Sequence, residues 1–120
     1  MPAEFAALIE ESRGLYAELI RLRRKGAGSR RALARLLVES AEVHARGRAG
    51  DATAEAMFRE ALSLDPNYVG LRTLLAYLLF ERGKATVEAT ELLAEELKRS
   101  PQYKPALQLK AAGLRQAAVD

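Results

Sequence analysis

Apolar residues return along this chain at spacings of three and four, the repeat of a single helix face. The rhythm breaks at 26–29, at 47–51, at Asp65-Pro66-Asn67, at Gly83 and at Ser100-Pro101. Between the breaks the pattern predicts six helices, over 3–25, 30–46, 52–64, 68–82, 86–99 and 104–118. Ala and Leu dominate the apolar positions while Val and Ile are scarce, a mixture that favours helix over strand. No β-strand is expected. Each connection is short, so helices adjacent in sequence should pack as antiparallel hairpins.

Shifting the chain against itself by 35 residues places like on like without a gap. Ala41 falls on Ala76, Ala54 on Ala89, Phe58 on Leu93, Leu62 on Leu97, Pro66 on Pro101 and Tyr68 on Tyr103. Carried forward, the same shift places Leu74 on Leu109 and Leu79 on Leu114. A fixed period of this length marks a solenoid. Each helical hairpin has an apolar stripe that it cannot bury alone and must stack on the next.

The unit resembles the tetratricopeptide repeat, which has about 34 residues, small residues where its two helices touch, an aromatic in the second helix and a closing Pro. In the first unit, 34–68, Ala41 stands at the close approach, Ala54 and Ala61 are the small positions, and Phe58 is the aromatic. Asp65-Pro66-Asn67-Tyr68 closes it. The second unit, 69–103, keeps Leu75-Ala76, Gly83, Ala89 and Pro101, but has Leu93 for the aromatic and Glu96 where a small residue belongs. Leu37 and Arg72 stand where the family has its leading Trp.

The resemblance implies an all-α fold, a right-handed superhelical array of antiparallel helix hairpins forming a single domain over 1–120. Helix 104–118 then reads as a solvating cap, with Lys104, Gln108, Lys110, Arg115 and Gln116 on its polar side, over a terminal segment 104–120. Segment 1–29 is either an N-terminal capping helix or a divergent repeat.

At 120 residues the chain is long enough to bury a core, and with no cysteine it has neither a disulfide nor a thiolate metal site. Acids within the first twenty residues interrupt any signal core or membrane span. A cytoplasmic location is expected, with the periplasm left open, and the richness in Ala, Leu and Arg points to a bacterial source. The net charge is only +3, but Arg21, Arg23, Arg24, Lys25, Arg30, Arg31 and Arg35 cluster without an acid among them. Such a block could hold nucleic acid or an anionic surface. Against that reading, no aromatics interleave to stack bases, and Glu88, Glu91, Glu95 and Glu96 offer a counterpart inside the protein.

No catalytic constellation emerges. His44 is the only histidine and has no Cys or second His with which to hold a transition metal, so its role is read as structural. Glu10-Glu11 and Glu95-Glu96 are adjacent on helices and so point about 100° apart, unsuited to a shared acid-base pair. Lys25-Gly26-Ala27-Gly28-Ser29 lacks the spacing and the terminal lysine of a phosphate loop. No enzyme activity and no cofactor are expected.

What the resemblance implies instead is a concave groove, lined by first helices, that takes a peptide or helix from another protein. Val38, Glu42, Ala45, Thr73, Tyr77, Phe80, Glu81 and Gln108 fall on that face, with Tyr77 and Phe80 as anchors. The family's chaperone-tail receptors carry Lys, Asn and Arg where Val38, Glu42, Thr73 and Tyr77 stand here, so that subclass is not expected. Self-assembly through the terminal helices is the second reading, and anion binding through the basic block the third.

One prediction follows from the repeat register alone. Ala76 marks a close approach of two helices, so Ala76→Leu should overpack it and melt below the parent by thermal circular dichroism. An unchanged melting temperature would refute the register.

Overall fold

The computed structural model describes residues 2–26, 29–47, 51–83 and 86–119. Its elements are α1 (Ala3–Lys25), α2 (Arg30–Ala45), α3 (Asp51–Leu64), α4 (Leu71–Glu81), α5 (Thr86–Arg99) and α6 (Lys104–Val119). Among the described residues there is no strand. Five helices begin and end within one residue of the sequence expectation. The exception is α4, which starts at Leu71 and not at 68, because Gly70 takes a left-handed φ of 88° that no helix tolerates. The chain divides into two compact units, Met1–Asn67 and Tyr68–Asp120, at the point where the first repeat was expected to close.

In the first unit α2 packs against both α1 and α3. The α2 N-terminus is capped by Ser29, whose hydroxyl oxygen accepts from the backbone N–H groups of Arg31 and Ala32 at 3.1 and 3.3 Å. Helices α1 and α2 run antiparallel, for Gly47 at the end of α2 lies beside Ile9 near the start of α1. Ile9 and Ile20 are the buried residues of α1. Leu37 and Ala41 of α2 are buried too, as are Ala54, Phe58 and Ala61 of α3. Arg24 reaches from the end of α1 to Glu60 on α3 in a two-pronged ion pair at 2.7 and 2.9 Å. Being exposed, that pair contributes less than about 1 kcal/mol.

In the second unit α4 packs on α5, and α6 touches both. The α4 N-terminus has no cap of its own, since Gly70 carries no side chain. One distant residue makes good the lack. Glu96, almost wholly buried near the end of α5, accepts from the Thr73 backbone N–H and from the Thr73 hydroxyl, both at 3.2 Å. The carboxylate thereby satisfies one of the helix's orphan donors and lies at the positive end of its dipole. The Tyr103 hydroxyl occupies the space where a Cβ on residue 70 would lie, so Gly70 is required for room as well as for its φ. At the other end Gly83, at φ 66°, closes α4 with its N–H donating to the Phe80 carbonyl at 3.0 Å.

One of the two helices of the expected unit keeps its extent across the 35-residue shift. Moved by 35 residues, α3 coincides in extent with α5, whereas α2 would cover 65–80 and α4 runs from Leu71 to Glu81. The closing bonds correspond as well: Asp65 N–H donates to the Ala61 carbonyl at 2.9 Å, and Ser100 N–H to the Glu96 carbonyl at 2.8 Å. Ala41 and Ala76, Ala54 and Ala89, and Phe58 and Leu93 are buried pair by pair.

Glu96 looked in the sequence like a lapse from the small residue at Ala61, yet it ties α5 to α4. Glu96→Ala removes the acceptor from two donors and should destabilise the second unit by about 1–3 kcal/mol. Glu96→Gln keeps an amide oxygen there and should lose distinctly less. Urea melts of the two variants check this, and equal losses would count against the acceptor role.

Candidate functional site

The residues expected to line one groove are divided between the two units and differ in exposure. Val38 is buried and so is Thr73, whose N–H and hydroxyl are committed to Glu96. Neither can meet a partner, and both expectations are corrected. The cause is hairpin packing: on a helix between two neighbours, a residue one turn from the core stripe is covered as well. Glu42, Ala45, Tyr77, Glu81 and Gln108 are exposed. Tyr77 is 54% exposed, and its hydroxyl is hydrogen-bonded to Glu81 one turn on, which raises its pKa above the usual 10.0. Phe80 is half-buried and lines a cleft within the second unit.

This cleft has a volume of about 320 Å³ and is walled by Phe80 of α4, Leu93 and Ala94 of α5, and Leu109 and Leu114 of α6. Among the described residues Lys110 is its one charged wall residue. The internal repeat explains why it is open. Leu75, Ala76 and Leu79 of α4 are at most 1% exposed, whereas their counterparts 35 residues on, Lys110, Ala111 and Leu114 of α6, are all exposed, Leu114 at 63%. At the other end of the same face Leu71 and its counterpart Ala106 are both buried. The α6 helix therefore starts packed like α4 and then leaves bare a face that α4 covers.

The basic block is divided between the end of α1 and the start of α2. Ala27 and Gly28, which join these helices, lie outside the described residues, as do the side chains of Arg115 and Gln116. Two of its seven cations are held by carboxylates. Arg21 donates to Glu18 of its own helix through Nε at 3.0 Å, and Arg24 to Glu60 on α3. Glu95 is bound instead to Arg99 at 2.9 Å. Arg23, Lys25, Arg30, Arg31 and Arg35 are exposed. Five exposed cations on two helices, with no aromatic side chain among them, form a hydrated surface and not a base-stacking platform.

His44 is buried on α2, and its Nδ1 has no hydrogen-bond partner. Burial lowers its pKa from the usual 6.5, and the Arg13 charge on α1 lowers it further, against a smaller opposing effect of Glu10. Among the described residues no group of three or more His, Asp or Glu side chains could hold a metal ion.

The histidine makes stability pH-dependent in a definite sense. Its folded pKa is depressed, so below about pH 6.5 the unfolded chain takes up a proton that the folded chain resists, and stability falls. The carboxylates with depressed pKa values, Glu60 among them, begin to act only at lower pH, from the carboxylate range near 4.5 downward. Thermal melts of the parent should drop between pH 7.5 and 5.5, and His44→Leu, which also removes the orphaned nitrogen, should flatten that drop.

Compared with known protein families, with curated proteins and with solved structures, the chain matches none.

Proposed function

We propose that this chain is a non-catalytic adaptor of tetratricopeptide-like helical repeats, an α-solenoid, and that it binds an amphipathic helix of another protein in the cleft of its second unit. The observation that carries the reading is the bare face of α6. Helix α4 buries Leu75, Ala76 and Leu79 at positions whose α6 counterparts, Lys110, Ala111 and Leu114, stand open beside Leu93. A helix laid along α6 would cover that face and fill the cleft.

The chemistry of the walls describes the ligand. Phe80, Leu93, Leu109 and Leu114 accept apolar side chains at i, i+3, i+4 and i+7 on one helical face. Lys110 at the margin favours an acid beside that stripe. The binding energy should come from the central apolar anchors, while Lys110 sets orientation and discriminates among partners. No helix among the described residues is long and apolar enough to cross a membrane, which fits a partner met in water.

A photoreactive amino acid placed at Leu114 should capture a segment of a cellular protein with this amphipathic pattern. A synthetic peptide of that segment should bind the parent and gain helicity. Leu114→Glu, at an exposed site, should leave the melting temperature unchanged and weaken the peptide at least about tenfold, the loss of one well-buried apolar contact. Tyr77→Ala, outside the cleft, should bind as the parent does. Peptide affinity indifferent to Leu114→Glu, or capture of nucleic acid alone, would overturn the proposal.

A further inference from the structure

Helix α1 has two apolar faces, and its own chain uses one. Ile9 and Ile20 are buried, and Arg13 and Tyr16, at the intervening positions of the same face, are half-buried. The Tyr16 hydroxyl is bonded to Glu39 of α2, which shows that this face meets α2. About a quarter-turn round the helix lie Phe5, Leu8, Leu15, Leu19 and Leu22, all between 46% and 62% exposed. With Ser12 they form an unbroken series at spacings of three, four, three, four and three. That is the heptad pattern of a two-helix seam, and its period of 3.5 residues suits a partner helix that winds along it.

We propose that α1 pairs antiparallel with α1 of a second copy of this chain through this stripe. The charge along α1 selects both the occupant and the direction. The first half carries Glu4, Glu10 and Glu11, with Arg13 paired to Glu10, while the last turns carry Arg21, Arg23, Arg24 and Lys25. A parallel copy would set four cations against four. An antiparallel copy sets each basic end beside an acidic one, and the helix is thus complementary to itself when reversed.

In the reversed register Phe5 faces Leu22 of the second copy, Leu8 faces Leu19, and Ser12 faces Leu15. Two-fold symmetry repeats each contact. Glu4 then flanks Lys25 of the second copy. Glu11 flanks Glu18, whose charge is already met by Arg21 of its own helix. Arg24 stays engaged with Glu60 on α3 and takes no part in the seam.

The chain contains no cysteine, so orientation can be read by single introduced thiols. Light scattering after size exclusion should give the parent twice the chain's 13.2 kDa. The double variant Leu8→Glu, Leu15→Glu, altered only at exposed positions, should give the single-chain mass with an unchanged circular dichroism spectrum. Phe5→Cys and Leu22→Cys, mixed, allowed to exchange and oxidised, should form a disulfide-linked dimer, while neither alone should do so efficiently. A parent that stays monomeric at high concentration overturns the proposal. So does a double-glutamate variant that folds and still dimerises, or a Leu22→Cys variant that cross-links alone as readily as the mixture.

Discussion

Where the helices of each unit pack, the buried faces of α2, α3, α4 and α5 carry alanine. Ala41, Ala54, Ala61, Ala76 and Ala89 have no exposed surface. Interiors are packed as densely as organic crystals, so nothing can relax around a larger residue there without parting the helices. The depth at which Phe58, Leu37, Leu75 and Leu93 are buried depends on that spacing. So does the proximity that lets Glu96 on α5 reach Thr73 on α4. The alanines supply little burial energy of their own. They set the distance at which the leucines can supply theirs.

The start of α4 shows how a departure from a repeat can become a structural element of its own. In the first unit the corresponding site is Ala61, a small residue in a dry contact. In the second unit a carboxylate takes that place, and the cost of burying it is offset by two donors at the end of a helix that has no local cap. Glycine at position 70 frees the room that Tyr103 fills. The exchanged residues form one cluster, each member of which makes sense only with the others.

The helices and their order were legible in the sequence because they rest on local periodicity, and local periodicity is what a linear reading records. The α4 start was misjudged because the conformation of Gly70 answers to Tyr103, far along the chain. Val38 and Thr73 were assigned to an open face because a helix wheel gives direction but not what lies beyond it. Phe80 belongs to a cleft for the same reason. The surplus apolar stripe of α1 was written in the spacing of Phe5, Leu8, Leu15, Leu19 and Leu22. It could have been found by noting that Ile9, Tyr16 and Ile20 already furnish a full face. The cleft itself left a fainter signal, in the way Lys110 breaks a match that holds at Leu109 and Leu114.

The arrangement at the start of α4 also bears on how the protein is made. Chains emerge from the ribosome N-terminus first, at about 5–20 residues per second. The acceptor that completes the first turn of α4 lies 23 residues downstream of Thr73, and Tyr103 lies further still. For a second or more after its own residues have been synthesised, the first turn of α4 has only water to meet its donors. Its final form is reached only when the turn after α5 folds back upon it. The start of α4 is thereby completed by residues that are translated after it.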